Sequence, residues 1–255
     1  MDNRVWDSVQ VKVVDIGNGY SLQEFRFPPM LQKNRIHVWT ARYERLDRHF
    51  GIFSGIISPE ELHTASMFRK STDARKYILR QGVLRSILGN YTCQDPSGVT
   101  FFKGMNGKPE LDPYRNYADI SFNMSHTREM ILIGVTRNHR IGVDIVKMEP
   151  SYRYEDTAAY IFTPAEKSLM QRTEPALRYQ VFFRIWALKE ALLKATGGTL
   201  TMMKSTDVSE ITHEIFSFPW CSLHYQHTQQ PFFICQFNSG SGHHGVIAAE
   251  SKNPV

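Results

Sequence analysis

The stretch Trp186-Ala187-Leu188-Lys189-Glu190-Ala191-Leu192-Leu193-Lys194-Ala195-Thr196-Gly197-Gly198 decides how the rest of this chain is interpreted. Its Ala, Leu, Lys and Glu residues favour a helix, and the two glycines after its last turn are typical of a C-terminal stop. Glu190 and Lys194 are four residues apart, so their side chains are neighbours on one helix face. The spacing also predicts a buried stripe, formed by Ile185, Leu188, Leu192 and Ala195.

Taken alone, Glu190 and Lys194 form an ordinary surface ion pair worth roughly 0.2–0.5 kcal/mol. A second stretch, Ile141-Gly142-Val143-Asp144-Ile145-Val146-Lys147, favours a different interpretation. Its alternation predicts a strand that turns the isoleucines and Val143 to a core and Asp144 to the other face. A strand Asp and a helix Glu can together supply a two-carboxylate site, which Mg²⁺ favours when substrate phosphates complete its coordination.

Four sequence pieces occur in an order and spacing that resemble those of the 4′-phosphopantetheinyl transferases, more closely the surfactin-synthetase-activating type. The pieces are Gly107-Lys108-Pro109, Phe122-Asn123-Met124-Ser125-His126, Gly142-Val143-Asp144 and Trp186-x-x-Lys189-Glu190-Ala191-x-x-Lys194-x-x-Gly197. The resemblance covers about residues 36 to 250. One position departs from the pattern, because bacterial members often carry a second acid where this chain has Val146.

The resemblance implies a Mg²⁺-dependent enzyme that transfers the 4′-phosphopantetheine arm of coenzyme A to a serine of an apo carrier protein, releasing 3′,5′-ADP. It implies that Asp144 and Glu190 bind the metal. Glu190 would also act as the base or position the base, and Lys194 would neutralise charge on the transferring phosphate. Because Val146 cannot ligate, a water is expected to replace the third protein oxygen.

The same resemblance implies a set of basic and polar contacts to coenzyme A. The motif positions are Lys108, Ser125 and His126. A further basic phosphate ligand is expected at Arg75 or Lys76, and the sequence leaves open which of the two serves. Lys189 is a further phosphate candidate, with a solvated helix lysine as the alternative.

The fold class predicted is α+β, with two similar halves at 36–140 and 141–250 related by an approximate two-fold, as the family fold also implies. Residues 1–35 are an N-terminal extension of unknown role. Each half has a helix start of the Ser/Thr-Pro-x-Glu kind, at Ser58 and at Thr163. Each half then has a long helix, expected to begin at Ser71 in the first half, and the two are expected to end at Gly89 and Gly197. Strands are predicted at 36–42, 99–102, 119–135, 141–147, 214–218, 221–226, 231–237 and 244–249, with turn-rich sequence between Gly104 and Pro113.

Composition narrows the functional classes. The chain has 255 residues and a net charge of +5, and its Lys and Arg residues form no long block. We therefore expect an anionic cofactor and an acidic carrier protein as partners, and no nucleic acid. No apolar run approaches the roughly 20 residues of a membrane span, so no membrane association is expected. Three cysteines without ligand spacing predict a reduced, cytoplasmic protein, and two similar halves in one chain predict a monomer.

Two alternatives of other classes remain open at this point. The first is a non-catalytic module that binds coenzyme A or a carrier protein, supported by Val146 and opposed by the presence of Asp144, Glu190 and Lys194 together. The second is a basic nucleic-acid binder, which lacks a recognised motif. The sequence does not name the carrier or its pathway, and polyketide, peptide-synthetase, siderophore and fatty-acid carriers all stay open.

Overall fold

The computed structural model describes residues 10–16, 31–32, 35–214, 220–223, 231–238 and 242–250. Helices and antiparallel or mixed sheets occur together, so the predicted α+β class is confirmed. Contacts divide the chain into two compact units. The first consists of Met1–Lys103, Pro109–Ser121 and Arg128–Asn138, and the second of Gly104–Lys108, Phe122–Thr127 and His139–Val255.

The first unit contains short helices, one long helix and several strands. Its strands are β1 (Gln10–Ile16), β2 (Arg35–Arg42), β3 (Phe101–Lys103), β4 (Pro109–Leu111) and β6 (Met130–Arg137). Its α-helices are α1 (Tyr43–Leu46), α2 (Phe50–Ser54), α3 (Pro59–Ser66) and α4 (Ser71–Thr92), with 3-10 turns at Asp47–His49 and Pro96–Gly98. Strand β5 (Ile120–His126) begins in this unit and continues into the second from Phe122.

Two strands of the first unit, β2 and β6, have side chains buried on both faces. β1 pairs in parallel with β2, and β2 pairs antiparallel with β6. Six consecutive residues of β2 and the first seven of β6 are buried, which explains their nearly continuous apolar sequence. β1 lies within the extension predicted at 1–35, so part of that segment belongs to a sheet.

The first long helix, α4, ends later than the sequence predicts. α4 begins at Ser71 as expected, but it continues through Gly89 to Thr92 and ends with Cys93 at φ +55°. The predicted stop at Gly89 is therefore wrong. Gly89 permits a close approach instead, because a Cβ there would lie 2.8 Å from the carbonyl oxygen of Gln94. The N-terminal capping box of α3 is confirmed, with Ser58 and Glu61 bonded reciprocally.

The second unit pairs one four-stranded sheet with a set of helices. Its strands are β7 (Ile141–Lys147), β8 (Trp220–Leu223), β9 (Phe232–Asn238) and β10 (His243–Glu250). Its α-helices are α5 (Glu155–Ile161), α6 (Pro164–Arg172), α7 (Arg178–Thr196) and α8 (Ser209–Glu214). Shorter 3-10 segments are Met105–Gly107, Pro175–Leu177 and Leu200–Ser205.

The sheet of the second unit has the order β7-β10-β9-β8, with every neighbouring pair antiparallel. α7 packs against β7 and β10, and its predicted stripe of Ile185, Leu188, Leu192 and Ala195 is fully buried. Gly197 ends α7 in the left-handed conformation at φ +71°, as the glycine pair predicted. The capping box of Thr163 and Glu166 at α6 is also confirmed.

The remaining strand predictions hold in part. The 119–135 segment divides into β5 and β6, and the turn-rich stretch from Gly104 to Pro113 includes β4, which pairs with β3. Most of the predicted strand 214–218 and the end of 221–226 lie outside the described residues. None of the helices in the described ranges combines the length and apolarity that crossing a bilayer requires.

Candidate active site

A close contact between β7 and α7 brings the predicted acids together. A Cβ on Gly142 would lie 2.0 Å from the carbonyl oxygen of Ala191, so only glycine lets the helix backbone approach the strand this closely. Asp144 is two residues further along β7, and alternation puts it on the same face as Gly142. This face is covered by α7, and Asp144 is only 5% exposed.

Lys194 is the cation at this contact. Its Nζ lies 2.6 Å from Asp144 Oδ1 and 3.9 Å from Glu190 Oε2. The predicted neighbour relation of Glu190 and Lys194 is present, and the strand acid joins them. One ammonium therefore lies within ion-pair distance of two carboxylates, at a site where Lys194 is 28% exposed.

Burial raises the pKa of Glu190 above its ordinary value. The positive charge of Lys194 opposes this rise in pKa, and the negative charge of Asp144 adds to it. A carboxylate with a raised pKa is a stronger base than an ordinary surface glutamate. The electrostatics therefore suit Glu190 to the base role that the sequence suggests.

Ser125, at the C-terminal part of β5, is buried beside Asp144. Its hydroxyl donates to Asp144 Oδ1 over 2.8 Å and accepts from the backbone N–H of Ile145 and from Lys194 Nζ, each over 3.3 Å. Asn123, two residues earlier, accepts from the N–H of Val143 over 2.8 Å. The sequence suggested Ser125 as a contact of coenzyme A, whereas the described contacts of its hydroxyl are to protein groups.

The second oxygen of Asp144 has no protein partner in the part of the chain that the structure describes. Asp144 Oδ2 is buried, and no hydrogen-bond donor reaches it among the described residues. A buried unpaired carboxylate oxygen is costly unless an ion or water completes it, so this atom fits a divalent cation. Within the described ranges no cluster of three or more His, Cys, Asp or Glu side chains could hold a metal. Two carboxylates with water and phosphate oxygens remain a set that suits Mg²⁺.

Lys108 extends to the backbone of β7 and α7. Its Nζ donates to the carbonyl oxygen of Ile141 over 2.9 Å and to that of Lys194 over 2.8 Å. Asn106, in the same loop, donates to the carbonyl of Gly197. The last carbonyls of a helix have no partner within it and carry partial negative charge, so a lysine and an amide stabilise them.

Lys189 lies inside the core of the second unit and is fully buried. Its Nζ is 2.6 Å from Glu166 Oε2 and also donates to the carbonyl of Met203 over 2.7 Å. Burial lowers the pKa of Lys189 and raises the pKa of Glu166, while each charge favours the ionised form of the other. From the sequence, Lys189 was expected either to contact a phosphate or to be solvated on the helix surface. The buried ion pair with Glu166 differs from both expectations.

Three other predicted phosphate ligands lie at or near the surface. His126 is exposed at the last position of β5. Arg75 forms an ion pair with Asp47 over 2.5 Å, which lowers the pKa of that carboxyl, and lies over the ring of Phe50. Lys76 donates to the carbonyl oxygen of Arg128 over 2.9 Å. Arg75 and Lys76 belong to the first unit and His126 to the second.

Two apolar residues of the same strand and helix, Val146 and Trp186, are partly buried. Val146, two residues beyond Asp144, is half-buried and packs against the hydrophobic core of the second unit. Trp186 packs against the same core, with its ring 6.1 Å from that of Phe182. The expectation that Trp186 fixes the helix by packing is confirmed.

Comparison with known proteins bears on the part of the chain that carries these acids. Residues 140–248 match the 4′-phosphopantetheinyl transferase superfamily. This range includes Asp144, Glu190 and Lys194. The family suggested by the motifs is thus supported, whereas the match does not single out the surfactin-activating type.

Named relatives agree with the superfamily match. The 4′-phosphopantetheinyl transferase HetI of Nostoc sp. is 29% identical over 184 residues, covering 71% of this chain and 78% of that protein. A putative 4′-phosphopantetheinyl transferase of Synechocystis sp. is 31% identical over 145 residues, covering 57% and 58%. The 4′-phosphopantetheinyl transferase Sfp of Bacillus subtilis is 26% identical over 150 residues, covering 59% and 64%. This chain spans less than two thirds of the last two.

Sequence reasoning missed the roles of two residues, Asn123 beside the site and Glu166 in the core of the second unit. Asn123 stood inside a quoted motif without a role, and Glu166 was interpreted only as a helix cap. The spacing of Asn123 and Ser125, two residues apart on a strand, signalled that both side chains share one face. No local signal could pair Glu166 with Lys189, because their contact depends on how α6 packs against α7.

Proposed function

We propose that this protein transfers the 4′-phosphopantetheine arm of coenzyme A to a serine hydroxyl of an apo carrier protein and releases 3′,5′-ADP. The observation that carries the proposal is the group of Asp144, Glu190 and Lys194 within a segment that matches the superfamily. The relatives described above are named for the same transfer.

In the proposed reaction the serine oxygen attacks the β-phosphorus of coenzyme A. A new oxygen–phosphorus bond forms to the carrier, and the bond from that phosphorus to the bridging oxygen breaks, so that 3′,5′-ADP carries away the electron pair. Glu190 accepts the serine proton, directly or through water, or positions the base that does so. Lys194 offsets the negative charge that develops on the transferred phosphoryl group.

We include Mg²⁺ in the proposal, held by Asp144 and Glu190. When bound, it would supply charge stabilisation to the diphosphate oxygens. The unpaired, buried Oδ2 of Asp144 supports this assignment. Val146 offers no oxygen, so water and phosphate oxygens would complete the coordination.

We propose His126, and one of the two basic residues Arg75 and Lys76, as contacts of coenzyme A phosphates. Between the two open candidates we favour Lys76, because Arg75 is already paired with the carboxylate of Asp47 whereas the described contact of Lys76 is to a neutral carbonyl. We leave Lys189 out of the coenzyme A contacts because Glu166 already neutralises its charge in the core.

The proposal also includes the more detailed expectations that the sequence raised about type, partner, oligomeric state and location. They comprise the surfactin-activating type, an acidic carrier domain as partner, a monomeric state and a cytoplasmic location. They also include a coenzyme A-binding first half at 36–140 and a catalytic second half at 141–250, related by an approximate two-fold. The net charge of +5 supports an acidic partner.

The test is incubation of the protein with coenzyme A, Mg²⁺ and a panel of apo carrier proteins, followed by intact mass measurement. We expect one carrier to gain one phosphopantetheine group, with 3′,5′-ADP released in equal amount. Tight binding of coenzyme A without a mass change on any carrier would instead favour the non-catalytic binding module.

A further inference from the structure

Asn123 and Ser125 contact β7 with the spacing of a neighbouring strand. Asn123 Oδ1 accepts from the N–H of Val143, and Ser125 Oγ accepts from the N–H of Ile145. Each contact joins residues that are 20 positions apart, so the two side chains meet successive outward amides of one strand edge. Asp144 is the residue between these two amides.

The two side chains accept hydrogen bonds from the edge of β7 that no other described strand of its sheet pairs with. β7 is the terminal strand of the order β7-β10-β9-β8 among the described elements. Buried backbone N–H groups on such an edge need acceptors from elsewhere. Asn123 and Ser125 are each 7% exposed and supply those acceptors as side-chain oxygens. The backbone on both sides of Asp144 is therefore fixed.

The hydroxyl of Ser125 is fully used by protein groups. A serine hydroxyl has one hydrogen to donate and two lone pairs to accept with. Its hydrogen is given to Asp144 Oδ1, and its lone pairs accept from the N–H of Ile145 and from Lys194 Nζ. In this arrangement the hydroxyl of Ser125 has no hydrogen left for a coenzyme A phosphate.

We propose that Asn123 and Ser125 are positioning residues of the metal site. Together they hold the backbone around Asp144, and Ser125 engages its Oδ1 beside Lys194, so that the unpaired Oδ2 is the oxygen presented to the divalent cation. This inference rests on the proposed function, since it concerns the same cation. It assigns Ser125 to the carboxylate of Asp144 instead of to a phosphate of coenzyme A.

The test separates metal affinity from coenzyme A affinity. Mn²⁺ in place of Mg²⁺ is titrated into the full chain without coenzyme A and followed by electron paramagnetic resonance. Coenzyme A is titrated separately in the presence of a chelator by calorimetry. For Ser125→Ala we expect Mn²⁺ affinity to fall about 10- to 100-fold, the usual effect of removing a partner of a metal ligand. Its metal-free coenzyme A affinity should be unchanged.

Three further variants make the test decisive. Ser121→Ala, on the same strand but outside these contacts, should match the wild type in both titrations. Asn123→Ala should also weaken Mn²⁺ binding. If Ser125→Ala does not fold, Ser125→Cys carries the same test, because its thiol is a weaker donor of similar size.

The results that would contradict the positioning role differ from those that would contradict the metal site. Unchanged Mn²⁺ affinity in Ser125→Ala, or weakened metal-free coenzyme A binding, would overturn the positioning role alone, provided that the wild type binds Mn²⁺ and Asp144→Asn does not. Failure of the wild type to bind Mn²⁺ would overturn the metal site itself and this inference with it.

Discussion

The ammonium of Lys108 lies 2.8 Å from the carbonyl oxygen of Lys194 and ties the loop at 104–108 to the last turn of α7. The same ammonium lies 2.9 Å from the carbonyl of Ile141, at the first residue of β7. Lys108 therefore bridges the strand and the helix that carry Asp144 and Lys194. A residue expected to bind phosphate therefore contacts the backbone of these two elements.

Replacing Lys108 with Ala should lower the free energy of unfolding. Hydrogen bonds from a charged donor contribute about 1.5–3 kcal/mol, and the carbonyls left behind lose their partner. Chemical denaturation measures the change, and Lys103→Ala, at an exposed position of β3, is the matched control. A loss of coenzyme A affinity at unchanged stability would return Lys108 to the phosphate role.

Removing either proposed metal ligand should abolish transfer and leave the fold intact. Asp144→Asn and Glu190→Gln keep side-chain size but remove the negative charge that a cation requires. Turnover is measured together with thermal melting, and Glu174→Gln, an exposed acid of the same unit, should behave as the wild type. Transfer at the wild-type rate in either variant would refute the assigned site.

Lys189→Met should be strongly destabilising, because it leaves the carboxylate of Glu166 buried without its cation. Breaking a buried ion pair in this way costs about 3–5 kcal/mol. The double variant Lys189→Met/Glu166→Leu should regain part of that loss, and Lys167→Met, partly exposed on α6, should have a small effect. If Lys189→Met keeps its stability but binds coenzyme A more weakly, the phosphate assignment is correct after all.

Val146→Glu should retain transferase activity and lower the Mg²⁺ concentration needed for half-maximal rate. Val146 shares the face of Asp144, so a carboxylate there can replace a water in the oxygen coordination of the metal. A Mg²⁺ titration compares it with Val146→Gln, which has similar size but no charge. A folded, active variant with an unchanged or higher Mg²⁺ requirement would show that position 146 is not a ligand position.

His37 should make the first unit sensitive to acid. Burial, with smaller contributions from Lys12 and Arg35, lowers the pKa of His37 to about 4, and its Nδ1 lies 2.6 Å from Tyr91 Oη. Because the unfolded chain binds the proton more readily, the stability from neutral His37 is complete above pH 6.5 and is lost as the pH falls toward 4. The loss amounts to about 3 kcal/mol.

Urea denaturation of the wild type and of His37→Gln at pH 7 and pH 4.5 measures this sensitivity. The difference in unfolding free energy between the two pH values should shrink in the variant. His63→Gln, at an exposed position of α3, is the control and should leave that difference unchanged. An equal acid response of His37→Gln and the wild type would contradict the buried neutral state of His37.

The sequence by itself determined the α+β class, the two capping boxes, the extent of β7 and the end of α7 at Gly197. These features follow from local spacing and backbone preferences, which a short segment carries with it. The same local evidence indicated Asp144, Glu190 and Lys194, because a strand acid and a helix pair at fixed spacing already limit the chemistry. It did not set the end of α4, where packing around Gly89 outweighs the usual tendency of glycine to stop a helix.

Only the tertiary structure decided what the polar side chains around those acids contact. The sequence does not distinguish the surroundings of Lys108 and Lys189. Lys108 bonds backbone carbonyls of β7 and α7, whereas Lys189 pairs with Glu166 in the core. Ser125 likewise bonds Asp144, which lies 19 positions further along the chain. A side chain's partners depend on which surfaces come together on folding. A buried donor or charge needs a partner on those surfaces, because leaving it unpaired costs free energy.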